Sequence, residues 1–281
     1  MGAIVDPFLV NEFLVRALVA GVLVAIACAV VGTYVILRGL AFIGEALGHG
    51  VLPGVAGAIL LDVSGILGAA VAAAAMITGV TWITRRSALT SNTAIGLLFV
   101  GMLALGVVIV SRSSSFTGDL TRILFGDVLG ISWDDVWIQL GVTVAVTSAV
   151  LVCARPFLLL CFDREQAQVA GFNPRFYDGL MLVLIAATVV VSFQSVGTLL
   201  VLGMLLAPAG AASIVTSRIS TAMLLAAVIG SASVVAGLLV SYHFDLAAGA
   251  SIVLVAVAAF FAVFVVRNVL LSGAPAGTDQ P

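Results

Sequence analysis

Residues 44–54 read GEALGHGVLPG and place Glu45 and His49 four positions apart in an otherwise apolar stretch. On a helix that spacing stacks the two side chains on one face, and Pro53 continues the stripe. The Pro53 ring clashes with the carbonyl four residues earlier, which belongs to His49. One turn therefore offers a carboxylate, an imidazole and a loosened backbone carbonyl in one direction. Carboxylate plus imidazole suits a borderline divalent metal such as Zn²⁺ or Mn²⁺, whereas Mg²⁺ prefers oxygen alone. A single Glu and a single His are too few ligands for a tight site. Two copies meeting across a two-fold axis would bring two of each and neutralise one dication. The alternative for the same pair is a Glu–His hydrogen bond that bridges helices and only holds the bundle together.

Other chemistry-bearing residues are sparse. The stretch 192–213, SFQSVGTLLVLGMLLAPAGAAS, is expected to be a second broken helix. Pro208 disturbs the carbonyl of Met204, while Gly197 and Gly203 weaken the preceding turns. Interrupted helices at membrane depth are tolerated where they line a cavity. Met204 and Pro208 are therefore weak candidates for a pathway, against the plainer role of Met204 as an apolar filler. His243 and Asp245 are metal-capable but fall at the outer interface, where such pairs are mostly solvated. No GxSxG or HExxH pattern occurs, so catalytic residues are not expected. Asp134 and Asp135 are adjacent and would diverge by about 100° on a helix. Cys28, Cys153 and Cys161 are scattered without metal-ligand spacing and are expected to be inert.

The elements that must position Glu45 follow from composition. Of 281 residues 63% are hydrophobic and 9% charged, spread along the whole length, which marks an integral membrane protein. The net charge of −2 suggests no nucleic-acid partner. The eleven basic residues are all arginine, and without lysine the chain cannot carry a Walker A loop. It is not itself a P-loop ATPase. The N-terminal MGAIVDPFLVNEFLVR has acids where a signal peptide has a basic region, so no cleavage is expected.

Apolar stretches long enough for a bilayer core cover 15–37, 42–61, 65–84, 91–111, 136–153, 178–195, 197–216, 219–241 and 247–266. Two joints, RGLA and FQSVG, are very short, so the expected count is eight to nine. Arg38, Arg85, Arg86, Arg155, Arg164, Arg175, Arg218 and Arg267 fall on one side, which the positive-inside rule makes cytoplasmic. The C-terminus is then inside, with the N-terminus outside for nine spans. At 1.5 Å per residue His49 lies about 17 Å beyond Arg38, near the midplane. An acid there costs about 2.5–3.5 kcal/mol on insertion scales, so Glu45 should face a cavity or a partner. Residues 112–135, with Arg112 and Arg122, are expected to form an interfacial helix on the outer face. In the cytoplasmic loop 154–178, Asp163 reads as an N-cap, Gln166 as N3 of a capping box and Gly171 as a helix stop. A surface helix of about two turns results.

Several blocks resemble one family in order. LRGLAFIGEALGHGVLPGVAGAILL is similar to the segment of zinc/manganese-type ABC importer permeases that usually reads close to LRRMAFFGDALSHSVLPGVALA. LFGDVLGIS, FDREQAQVAGFNP, VGTLLVLGMLLAPAGAA and FDLAAGASIVLV resemble four further blocks of it. The resemblance implies an all-α type II importer permease in the bacterial plasma membrane, with residues 1–271 as one transmembrane domain and 272–281 as a disordered tail. It implies a homodimer working with two cytosolic ATPase subunits and an extracellular metal-binding lipoprotein. The transported substrate would be Mn²⁺ or Zn²⁺, with no permanently bound cofactor. The family's metal site falls on Glu45 and His49, with glutamate where aspartate is usual. The helix comprising Asp163, Arg164, Glu165, Gln166, Ala167 and Gly171 corresponds to the coupling helix. Two alternatives stay open: a permease for metal chelates or cofactors, and a secondary transporter in which Glu45 relays protons.

Overall fold

The computed structural model describes residues 11–111 and 130–272, and every regular element among them is helical. Residues 112–129, with most of the expected outer-face helix, and the tail from 273 lie outside the described residues. In chain order the helices are α1 (Glu12–Leu37), α2 (Ala41–Gly50), α3 (Leu52–Leu60), α4 (Gly65–Arg86), α5 (Ser91–Val110) and α6 (Trp133–Val152). They continue as α7 (Ala154–Phe162), α8 (Arg164–Val169), α9 (Pro174–Val196), α10 (Thr198–Val215), α11 (Ile219–Phe244) and α12 (Ala248–Ser272). Seven of these are long and apolar enough to cross a bilayer; α10 and the α2–α3 pair are shorter.

The apolar segments of the sequence are the helices, with boundaries moved by a few residues. Two corrections concern loops. Residues 133–135 do not belong to an outer-face helix; they open α6. Ser132 accepts a hydrogen bond from Asp135 N–H at 3.2 Å, and Asp135 accepts one from Ser132 N–H at 3.0 Å. That reciprocal pair is a capping box. The loop 154–178 also contains α7, nine residues whose Pro156, Phe157 and Leu160 are buried. The run is too short to register as a span, and its burial comes from neighbours distant in sequence.

α1 is the hub. It packs against α6, α9, α10 and α11, while α12 closes over α10 and α11. Its end explains the short RGLA joint. Leu40 N–H bonds to Val35 O at 2.9 Å and Gly39 N–H to Ile36 O at 3.0 Å, with Gly39 at φ 64. This is a Schellman stop, which turns the chain into α2 within three residues. α2 lies among α4, α5, α9 and α10, and α3 lies against α4 and α5. α3 and α4 cross at Gly54 and Gly68. A Cβ on Gly54 would lie 2.0 Å from Gly68 O, and one on Gly68 would lie 2.1 Å from Gly54 O. Only glycine permits that backbone contact.

The second broken helix needs correcting. The break falls at Gly197, at φ 82 between α9 and α10, and α10 runs unbroken through Pro208.

Candidate metal site and coupling surface

Pro53 carries no N–H, and the helix parts at Val51 between α2 and α3. The parting is mild: Val51 N–H still reaches Leu47 O at 3.2 Å, and Val55 N–H reaches Val51 O at 3.0 Å. The stripe therefore survives as a bent helix. Along it, Glu45 is exposed on the surface of the chain, His49 is half-buried and Pro53 is buried. Because the chain turns at Gly39, depth counts from Ala41, which puts His49 about 12 Å along α2.

The surroundings divide the faces of α2. Gly44 is turned to α10, where a Cβ would meet Leu205 Cδ2 at 2.7 Å. The His49 ring lies 6.0 Å from the Phe99 ring on α5, tilted by 52°. Glu45 makes no hydrogen bond or ion pair among the described residues, so no Glu45–His49 bridge holds the bundle. An unpartnered carboxylate on an apolar helix surface is costly in lipid.

The other candidates are not brought to this stripe. Met204 and Pro208 are buried and turned to α11: a Cβ on Gly230 would lie 3.2 Å from Met204 Cε and 3.6 Å from Pro208 Cγ. There they pack against α11. His243 is exposed, with a ring nitrogen 2.8 Å from Leu239 O. Asp245 ends α11 in a left-handed conformation at φ 51. Among the described residues no three His, Cys, Asp or Glu gather as a metal site within the chain. The three cysteines are free, and Cys28 is fully buried.

At the end of the bundle from which α2 departs, α8 forms where capping residues require it. Asp163 accepts from Glu165 N–H at 2.8 Å and Gln166 N–H at 3.1 Å. The reciprocal half of a capping box has no free donor, because Asp163 N–H is held by Leu159 O at 2.8 Å. Gly171 at φ 85 closes the helix through Gly171 N–H to Gln168 O and Phe172 N–H to Ala167 O. Ala167 is fully buried; Arg164, Glu165, Gln166, Gln168 and Val169 are exposed, Val169 to 90%. The outward surface of α8 is thus a short polar strip with one bare valine.

Sequence reasoning missed the residue that ties α8 to the bundle. Asp178, in the second turn of α9, receives Arg38 at 2.5 Å on one oxygen and Arg164 on the other. Arg38 caps α1 just before α2 and also reaches Leu160 O at 3.5 Å. The Arg38 and Asp178 side chains are only 14% and 24% exposed, so this pair is shielded as surface pairs are not. Tyr177 reinforces the joint, with edge contacts to Phe157, Phe172 and Phe176. Burial pushes the nearby Cys161 thiol up, opposed by the Arg38 guanidinium.

The profile described as "ABC 3 transport family" matches residues 10–267. A manganese transport system membrane protein, MntC, of Listeria innocua is 38% identical over 252 residues, covering 90% of each chain. A probable iron transport system membrane protein of Haemophilus influenzae is 37% identical, covering 90% of this chain and 92% of the other. Among solved structures, PsaBC from Streptococcus pneumoniae in complex with Fab contains a chain that superimposes with a TM-score of 0.83 at 34% identity, over 93% of this chain and 94% of that one. The chain is a multi-pass membrane permease belonging to the ABC 3 transport family.

Proposed function

We propose that this chain is the membrane-spanning subunit of an ATP-driven importer in the bacterial plasma membrane, and that it carries Mn²⁺ into the cytoplasm. The exposed, unpartnered Glu45 carries the proposal. Its charge, set one turn from His49 inside the apolar thickness, is compensated when a dication enters. Two chains related by a two-fold axis turn their α2 helices to a shared pathway, so that both Glu45–His49 pairs line it. Glutamate and imidazole are matched to Mn²⁺, Fe²⁺ and Zn²⁺ alike. The similarity to manganese permeases favours the first. A chelate permease needs a wide passage, which the small stripe does not call for.

Energy enters through α8. Two cytosolic ATPase subunits dock on its outward strip, Glu165, Gln166 and Val169. When they close on ATP they displace α8, and Arg164 pulls on Asp178. Asp178 transmits the displacement to Arg38, at the turn from which α2 and Glu45 depart. An extracellular binding lipoprotein supplies the ion from the other side.

The deciding experiment is ATP hydrolysis by the complete transporter in vesicles, titrated with Mn²⁺, Fe²⁺ and Zn²⁺, together with elemental analysis of the imported ion. Mn²⁺ uptake that depends on ATP is expected. Uptake driven by a proton gradient without ATP would replace this account with a secondary transporter.

A further inference from the structure

A cavity of about 410 Å³ lies among the ends of α1 and α4, the starts of α2, α5 and α9, and α8, on the side that the positive-inside rule makes cytoplasmic. Its charged wall consists of Arg38, Arg85, Arg164, Arg175 and Asp178. Four guanidiniums face one carboxylate, a formal charge of +3. Asp178 is already shared by Arg38 and Arg164. Arg85 and Arg175 pair with no carboxylate among the described residues. They come from positions 90 apart in sequence, one ending α4 and one beginning α9. Such a cavity repels a divalent cation and is not the ion's exit.

The rest of the wall is mainly apolar: Leu40, Ile43, Val80, Ile95 and Leu182 line it, and the hydroxyls of Thr81 and Thr84 are spent on Ile77 O and Val80 O of their own helix. A guanidinium mouth above an apolar throat, at the depth of the cytoplasmic headgroups, has the polarity profile of a phospholipid. Arginine forks match phosphate oxygens bidentately, and basic pockets between membrane helices hold anionic headgroups. We propose that this cavity binds the phosphate of an anionic phospholipid, held by Arg85 and Arg175, with an acyl chain against the apolar wall. A free phosphate or an acidic segment of a partner protein would satisfy the arginines but leave that wall empty. Bound there, the lipid sits beside Asp178 and bears on the joint between α8 and α2.

The test uses the complete, delipidated transporter in detergent, titrated with dioctanoyl phosphatidylglycerol, dioctanoyl phosphatidylcholine and inorganic phosphate, with binding read by native mass spectrometry. Phosphatidylglycerol should bind saturably and the other two weakly. The Arg85→Gln/Arg175→Gln double variant should weaken that binding by about tenfold or more, the scale of losing charge-assisted pairs to phosphate. The Arg85→Lys/Arg175→Lys variant keeps both charges but loses the forks, so it should bind between the native protein and the double glutamine variant, which separates a lost site from a lost fold. Equal binding of the two lipids, or an unchanged affinity in the double glutamine variant, would overturn the proposal. So would displacement by inorganic phosphate at matched concentration, which leaves a simple anion site. Binding seen only after the ATPase subunits are stripped away would also overturn it, because a partner then fills the cavity.

Discussion

Pro53 and Pro208 both lie on helices within the apolar thickness, and those helices behave differently. At Pro53 the helix parts and a charged side chain stands bare on its surface. At Pro208 the helix runs on, and the side chains around it are buried against α11. The proline chemistry is the same in both: no N–H, and a ring against the preceding turn. The neighbours differ. Pro208 lies inside the tightly packed group α1, α10, α11 and α12, opposite Gly230, where the helix is held from several sides. The α2–α3 segment has neighbours on part of its circumference only, and its free face carries Glu45. A proline marks a site only where the fold leaves the loosened turn a face to open on.

The largest contrast should come from the acid. Glu45→Gln keeps the shape and removes the charge, so Mn²⁺ uptake should fall by about tenfold to a hundredfold, the scale of losing a group that supports a metal site. The thermal midpoint should hold. Met204→Leu, at the buried helix, should leave uptake within about twofold, since volume-conserving core swaps are tolerated. Uptake measured side by side in vesicles checks both, and equal losses would erase the distinction. Glu45→Asp should retain activity, with an altered order of metals.

The helix crossing comes next. Gly54→Ala puts a methyl into the Gly68 backbone and should destabilise by about 1–3 kcal/mol, the scale of overpacking. Gly57→Ala, where a Cβ meets nothing within 4 Å, should stay within about 0.5 kcal/mol. Denaturation midpoints of the two variants decide this, and a shared midpoint would show that α3 and α4 do not meet where described. Pro53→Ala lets the helix close and should slow uptake several-fold, whereas Pro208→Ala should change it little. The smallest structural effect is at α8. Glu165→Arg alters only the exposed strip, so it should leave metal binding intact while lowering the ions moved per ATP hydrolysed. An unchanged ratio would detach α8 from energy coupling.

Much of this was legible in the sequence, because hydropathy and capping are local. Each apolar run became a helix or a bent pair of helices, Asp163 and Gly171 bounded α8, and Pro53 marked the bend. The Glu45–His49 stripe was visible in its spacing alone. What stayed hidden depends on contacts between distant residues. Asp178 lies 140 positions from Arg38, and nothing near it distinguishes it from any other acid at a helix start. α7 is too short for a span and is buried by Tyr34 and Tyr177. Pro208 looked like a second break because sequence shows the missing N–H but not the packing that holds the helix together.

The most direct measurement is thiol accessibility in the assembled transporter. Single cysteines replace Glu45 in one variant and Met204 in another, and a small water-soluble thiol reagent is applied. Cys153, free and half-buried, is first replaced by serine in both variants; of the other two, Cys28 is fully buried, and burial pushes the Cys161 thiol up, away from its reactive thiolate. If Glu45 lines a water-filled pathway between two chains, position 45 labels rapidly and position 204 does not. If position 45 resists the reagent as position 204 does, Glu45 faces lipid or a closed contact, and the transport site lies elsewhere.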